Sequence, residues 1–245
     1  MRKTWFVCIL LALSTLSGCF YRGDGTVCDG NCLYGYGIKQ WPDGSYLKGH
    51  WSWGELKGFG VQFFGTASEF AGDKYVGNFD NGYNGYGTYY GKRLDFVYKG
   101  YWLNWKTEGH GFAKFGAHAT CPGWQYDGQY KEGKKSGYGV AFLGTTGPHA
   151  GITYAGNWYD DQMLGNGKYY WPDGSRYEGS FANDLFEGNG TLIFNDGAKY
   201  TGVWTHGTSA SFLPVLKWHS RVAKNKDTVL MKFFGIIEVS APRKK

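Results

Sequence analysis

Runs of alternating apolar and polar residues, separated by turn signals, extend along most of the chain. Residues 165–181 show the pattern clearly. One side of the first predicted strand carries Gly165, Gly167, Tyr169 and Trp171, since successive side chains of a strand point to opposite faces. Pro172-Asp173-Gly174 is a turn sequence, and the return strand carries, on one side, Tyr177, Gly179 and Phe181. The pattern predicts a β-hairpin.

This hairpin pattern occurs seven times as Tyr-x-Gly-x-aromatic, each copy following a Gly-x-Gly pair, and we number the copies as units one to seven. The first position of the motif holds Leu47, Tyr75, Tyr98, Tyr126, Tyr154, Tyr177 and Tyr200. The aromatic position holds Trp51, Phe79, Trp102, Tyr130, Trp158, Phe181 and Trp204. One hairpin cannot bury a core by itself, so the repetition indicates a tandem array stabilised by contacts between neighbours.

The array predicts an all-β fold: an elongated, single-layer, twisted antiparallel sheet of about seven hairpin units and fourteen strands, followed by a C-terminal capping segment. A glycine two residues from an aromatic residue leaves room for a ring of the neighbouring hairpin to lie on bare backbone. The other strand face also carries apolar residues, such as Tyr36, Phe59 and Tyr138, so neither face is expected to be purely polar.

The repeats resemble the MORN (membrane occupation and recognition nexus) family over residues 34–207, and the resemblance rests on seven copies in register. It implies an interaction scaffold linked to protein–protein contacts and membrane association, and it does not imply an enzyme. The alternative is a module that binds cell-wall glycans, because hairpin repeats of glycine and aromatic residues also build such modules and exposed rings suit the faces of sugars.

The N-terminus has the features of an export signal over residues 1–18: Arg2 and Lys3, a short apolar run and small residues at its end. Leu16-Ser17-Gly18-Cys19 resembles the lipobox of bacterial lipoproteins, which implies acyl chains on Cys19 and a membrane anchor in the bacterial cell envelope. Phe20 follows instead of aspartate, and in such proteins this favours the outer membrane. The alternative is a secreted protein without lipid.

Residues 19–33 show little periodicity and are predicted to form a tether. Cys28 and Cys32 lie in a chain predicted to be exported, so a local disulfide is the leading interpretation; two free thiols or a partial metal site are the alternatives.

The 41 glycines and the 20% aromatic content are typical of an all-β repeat protein and exclude a collagen-like or purely disordered chain. The net charge of +6 is unevenly placed. Residues 20–207 hold 16 basic and 18 acidic residues, whereas the tail, 208–245, holds 8 and 2. The array is therefore not a basic surface, which argues against nucleic acid as its main partner. The tail is predicted to cap the last strand, as strand or helix, and its charge suits contact with anionic headgroups.

No catalytic motif is present, and the six histidines are scattered, so the sequence predicts a protein without catalytic activity, cofactor or metal. Units two, four and five have longer hairpin tips than the others. Those of units four and five contain His118, Trp124 and His149, which we predict to form part of a recognition edge; tolerated loop insertions are the alternative. The partner is an envelope protein, a lipid or a glycan whose identity the sequence does not give.

Overall fold

A computed structural model describes residues 24–208, 231–233 and 237–239. The predicted export signal, 1–18, and the predicted lipid site, Cys19, lie outside these residues, as does most of the predicted cap. Fifteen strands form one antiparallel sheet in which each strand pairs with the next one along the chain. The prediction of an all-β single-layer sheet of tandem hairpins is confirmed.

The strands follow each other without any crossover. Their bounds are β1 Val27–Gly30, β2 Tyr34–Gln40, β3 Tyr46–Ser52, β4 Glu55–Phe63, β5 Lys74–Phe79, β6 Tyr83–Gly91, β7 Phe96–Leu103, β8 Lys106–Phe115, β9 Trp124–Lys131, β10 Lys134–Leu143, β11 Thr153–Tyr159, β12 Gln162–Tyr170, β13 Arg176–Ala182, β14 Leu185–Ile193 and β15 Lys199–Thr208. Unit one is β2 and β3, and each later unit adds the next two strands, so that unit seven is β14 and β15.

The strand that the sequence analysis did not predict is β1. It lies within the segment predicted to be a tether and pairs with β2. A disulfide joins Cys28 on β1 to Cys32, with their Cα atoms 6.1 Å apart. The weak periodicity of this segment hides β1, because a four-residue strand is too short to show alternation.

The hairpin connections separate onto two long edges of the sheet. Between units the strands are joined by tight turns whose residues have positive φ, for example 50° at Asp160 and 71° at Asp161. Both central residues of a type I′ turn need this conformation, and aspartate and asparagine tolerate it better than most residues. Within each unit the strands are joined by the hairpin tips, which therefore all project from the opposite edge, as predicted from the insertions.

A single row of glycines crosses the whole sheet, one glycine from each strand, and each is the cross-strand partner of the next. The glycine row consists of Gly30, Gly37, Gly49, Gly60, Gly77, Gly87, Gly100, Gly111, Gly128, Gly139, Gly156, Gly167, Gly179, Gly190 and Gly202. Residues an even number of positions from these glycines lie on one face, and residues an odd number away lie on the other.

The core lies on the first of these faces, which we call the buried face. The rings of the repeat motif pack there, and all but Trp102 and Tyr200 among the aromatic members are buried. Nothing among the described residues covers the other side of the sheet, which we call the open face. The layer is therefore stabilised by rings that cover each other within a single face.

Two short strands follow in the tail, β16 Met231–Phe233 and β17 Ile237–Val239, and they pair with each other. β17 approaches β15, the last strand of the large sheet. The apolar run of the tail thus contains strands where the sequence pattern left strand and helix open. Within the described residues no helix is long and apolar enough to cross a membrane.

Candidate functional site

Five tyrosine rings lie over the glycine row, one in each of units two to six: Tyr75, Tyr98, Tyr126, Tyr154 and Tyr177. A Cβ atom added at Gly179 would lie 2.5 Å from the Tyr177 hydroxyl oxygen, so only glycine leaves room for the ring. The Tyr177 hydroxyl donates to the Ser180 carbonyl oxygen at 3.0 Å, and the other four make the same bond three residues ahead, at 2.9–3.1 Å.

Each of these rings covers two glycines: the one on its own strand, as Tyr177 covers Gly179, and the first-strand glycine of the neighbouring hairpin, as Tyr177 covers Gly190. The sequence predicted the contact with the neighbouring hairpin but not the contact within the strand. A strand side chain leans along its own strand, so a tyrosine two residues before a glycine reaches that glycine and its cross-strand partner. The neighbouring hairpin also contributes a ring contact. Tyr177, for example, meets the edge of Trp204 in the following unit with ring centroids 5.2 Å apart. This contact links the units.

The two positions of each Gly-x-Gly pair are occupied by glycine for different physical reasons. The second belongs to the glycine row and must be small. The first lies opposite the motif aromatic of its unit and has positive φ in all seven copies, as at Gly188, where φ is +68°. A Cβ atom added at Gly188 would have Ser180 Cβ as its nearest neighbour, at 3.6 Å, so there is room for a side chain. The positive φ, and not a lack of space, therefore favours glycine at this position.

One further position completes the buried face, near the start of the first strand of each unit from unit two on. Tyr83 stacks on Tyr75 with their ring centroids 3.6 Å apart, and Phe186 stacks on Tyr177 with their ring centroids 4.0 Å apart. The equivalent residues elsewhere are Leu56, Thr107, Lys135 and Met163. Leu56 covers the glycine row where Leu47 replaces the motif tyrosine. The stack is thus interrupted in the middle of the array.

Lys135 is the charged residue at this position. Its ammonium lies over the rings of Trp158, Trp124 and Tyr126, with 4.4 Å to the Trp158 centroid, and 3.9 Å from Asp161 Oδ1. Burial lowers the pKa of Lys135, against the opposing effect of Asp161 and Asp184. The rings supply cation–π attraction to a group that is otherwise costly to bury.

Burial also raises the pKa of the five tyrosines over the glycine row. A phenol whose charged form is disfavoured and whose proton is held by a backbone carbonyl is not poised for acid–base work at neutral pH. The buried face is therefore a structural element, and the candidate binding surface is the other side of the sheet.

On the open face, seven cross-strand pairs flank the glycine row, one pair from each unit. These open-face pairs are Tyr36/His50, Phe59/Asn78, Tyr86/Tyr101, His110/Gln129, Tyr138/Asn157, Asn166/Ser180 and Asn189/Val203. All members except the half-buried Ser180 are exposed, and none carries a carboxylate, ammonium or guanidinium group. Each pair in units one to five includes a ring, whereas the pairs of units six and seven include none.

A groove of about 560 Å³ lies in this face across β8, β9 and β10. It is lined by His110, Phe112, Gln125, Asp127, Gly128, Gln129, Tyr138, Val140 and Phe142. Asp127 is its one carboxylate, and His110 Nε2 lies 3.1 Å from Asp127 Oδ1. Two exposed lysines border the groove: Lys99 is the partner of Phe112, and Lys114 is the partner of Gln125. We call this the β8–β10 groove.

The tips that the sequence suggested as a recognition edge are fastened to each other. Thr145 in the tip of unit five donates through its N–H and its hydroxyl to the Pro122 carbonyl of unit four, at 2.8 and 3.1 Å. His118 is exposed and His149 is half-buried. Trp124 does not project from its tip: it lies on the buried face, with its ring centroid 5.4 Å from that of Phe115, because it is four residues before Gly128.

The part of the chain that the structure describes contains no group of three or more His, Cys, Asp or Glu side chains that could hold a metal ion. Cys121 is a free, exposed thiol in the tip of unit four. The buried carboxylate of Asp73 accepts hydrogen bonds from the Tyr89 hydroxyl and the Lys92 N–H, which fixes the tips of units two and three together. These groups do not converge on a site.

Sequence reasoning had indicated apolar residues on the second strand face but not that the open-face rings stay exposed, nor that the pairs change in character after unit five. The sequence does contain the residues of the open-face pairs at fixed positions: the central residue of each Gly-x-Gly and the residue after each motif glycine. Reading it required the strand register, because bulges shift the two strands of neighbouring units past each other.

Comparison with protein families agrees with this repeat structure. A model of the MORN repeat family matches residues 35–46, 75–93, 126–141, 154–176 and 177–199. A search of curated proteins found no match. Among solved structures, the chain is similar to the SAS-4 (dCPAP) TCP domain from Drosophila melanogaster, solved in complex with a proline-rich motif of Ana2 (dSTIL). The identity is 12%, the TM-score 0.41, and the match covers 80% of this chain and 98% of that one.

MORN repeats are typically binding or scaffold modules for membrane or protein partners and are generally non-catalytic. The five matched segments touch all seven units, and every unit shares the same glycine row and register. Together these findings support MORN repeats over residues 35–199 of this chain.

Proposed function

We propose that this protein is an exported, lipid-anchored, non-catalytic binding scaffold that holds its partner on the open face of the sheet. The anchor is the set of acyl chains on Cys19, which would place the protein in the bacterial cell envelope, at the outer membrane. The rigid part is the buried face, and the binding part is the row of open-face pairs.

The observation that supports this proposal is a difference between units that fold alike. Units five and six have the same buried-face elements, Tyr154 with Trp158 and Tyr177 with Phe181. On the open face unit five presents Tyr138, 59% exposed, where unit six presents Asn166. Since unit six folds without an open-face ring in its pair, the fold does not require Tyr138. Exposed rings that a fold does not require indicate a contact surface.

The experiment removes one open-face ring from each of three units by the combined change Phe59→Asn, Tyr101→Asn and Tyr138→Asn in the full chain. We expect an unchanged denaturation midpoint and the loss of most partners recovered by crosslinking from native membranes. The matched control replaces the tips of units four and five, residues 116–123 and 144–151, by Pro-Asp-Gly turns, which keeps Trp124 in place. The control should recover the same partners as the wild type.

Retention of all partners by the three-ring variant, with their loss in the shortened-tip variant, would move the binding surface to the tip edge. Retention in both variants would leave the scaffold proposal without a surface and would overturn it.

The anchor is tested separately by labelled palmitate incorporation in the wild type and in Cys19→Ser. We expect label in the wild type alone and a mature chain that begins at Cys19. Equal labelling of both proteins, or a mature N-terminus elsewhere, contradicts lipidation and leaves a secreted scaffold.

A further inference from the structure

We propose that the open-face pairs of units one to five, centred on the β8–β10 groove, form an extended binding site for a neutral, linear glycan. The inference rests on the proposed binding role of the open face and adds the chemical class of the ligand. The proposed ligand is a polyhydroxylated polymer and not a protein surface or a phospholipid headgroup.

The chemistry of the pairs favours a neutral ligand. None of the ten side chains in units one to five carries a fixed charge, and they combine rings with the amides of Asn78, Gln129 and Asn157. A ring offers a flat apolar surface, and an amide both donates and accepts hydrogen bonds. A sugar presents the complementary set, C–H groups on its faces and hydroxyls around its rim.

The amides also argue against a dry protein interface. Phe59 lies opposite Asn78, and Tyr138 lies opposite Asn157, so the apolar and amide groups are side by side in the same pair. A partner that covers the rings must cover the amides as well, and a buried amide left without hydrogen bonds is costly. A chain of hydroxyl groups supplies a donor or an acceptor along its whole length, so it satisfies each amide in turn.

The repeat of the surface favours a polymer. Each unit contributes one pair, and the pairs recur every two strands, which is about 10 Å along the array. A linear ligand that lies across the strands meets the same type of contact five times. Binding should therefore strengthen with ligand length, since each added sugar engages further pairs without a new loss of overall rotational freedom.

The β8–β10 groove is a concave part of this surface, and its volume is within the range of pockets that hold small ligands. Tyr138 provides its ring, and Gln125 and Gln129 provide its amides. Asp127 can accept hydrogen bonds from two neighbouring hydroxyls through its two oxygens. A carboxylate inside the groove disfavours a phosphate there, although Lys99 and Lys114 lie at its border.

The test measures binding of the full-length purified protein to chito-oligosaccharides of two to eight residues by isothermal titration calorimetry. We expect a dissociation constant that falls with length. Tyr138→Ala should weaken binding of the octamer about 3- to 10-fold, which is the range expected from the loss of one ring contact. Asn189→Ala, at the equivalent position of unit seven, is the matched control and should bind as the wild type does.

A second arm uses vesicles of phosphatidylcholine with and without an anionic lipid. Vesicle binding that depends on Tyr138, without oligosaccharide binding, would overturn the glycan and favour a lipid. Absence of oligosaccharide binding by a folded protein, or equal weakening in Tyr138→Ala and Asn189→Ala, would also overturn it. If the variant with Phe59, Tyr101 and Tyr138 replaced nevertheless loses its crosslinked partners, the scaffold role stands and only the glycan proposal fails. If that variant keeps its partners, the scaffold proposal and the glycan proposal both fail.

Discussion

The two faces of this sheet are built from the same strands but follow different rules. On the buried face almost every position is determined by contact: a tyrosine lies on two glycines, and an aromatic residue of the next unit meets its edge. On the open face the residues next to the row glycines vary from Tyr101 to Asn166 and Val203 without any change in strand pairing.

The difference shows how a single layer can fold without a second sheet or a helix to cover it. Large rings that lie flat on glycine exclude water from one face, and this contact repeats from unit to unit. The open face is then free of structural demands, because no layer packs on it. Side chains there can be selected for binding.

The largest test of this contrast uses two adjacent residues that point to opposite faces, Gly190 and Asn189. In Gly190→Val the new side chain meets the Tyr177 ring on the buried face, so we expect a loss of about 3 kcal/mol in the free energy of unfolding. Asn189→Val adds the same side chain to the exposed face and should change it by less than about 0.5 kcal/mol. Urea denaturation measures both. Equal effects of the two changes would contradict the assignment of the faces.

A smaller effect of opposite sign is expected at Lys135. Lys135→Met places at this position the residue type that unit six has at Met163, and it should stabilise the protein by about 1–2 kcal/mol at neutral pH by removing a half-desolvated ammonium. Since burial lowers the folded-state pKa below 10.5, the unfolded chain binds this proton more tightly than the folded chain does.

The cost of the charge is therefore fully present below the folded-state pKa and disappears as the pH rises towards 10.5. The stability difference between Lys135→Met and the wild type should shrink over that window, in denaturation series at several pH values. A difference that does not change with pH would mean that Lys135 keeps an ordinary pKa in the folded protein.

The smallest effect separates the two kinds of glycine. Gly188→Ala should cost about 1 kcal/mol, because its φ of +68° strains any residue with a Cβ although space is available. Gly188→Asn should cost less, since asparagine tolerates this conformation. At Gly190, where space is the limit, asparagine should be as harmful as valine. If asparagine is no better than alanine at 188, backbone conformation is not the reason for that glycine.

The sequence by itself determined the hairpin repeat, its seven copies and the all-β class, because alternation and turn residues are local properties that each unit repeats. It also marked the glycines and rings that pack. It could not show that Tyr177 covers its own strand's glycine, that Trp124 is on the buried face, or that β1 adds a strand. Those facts depend on side-chain direction, register and bulges, which are fixed only when strands pair.

The open-face pairs belong to the same category. His110 and Gln129 are nineteen positions apart in the chain and become neighbours because β8 and β9 pair in one register. A shift of that register by one residue would exchange the two faces and bury these side chains. The tertiary structure therefore decided which aromatic residues pack in the core and which remain available to a ligand, and the physical reason is the two-residue period of the strand combined with the glycine row that fixes its register.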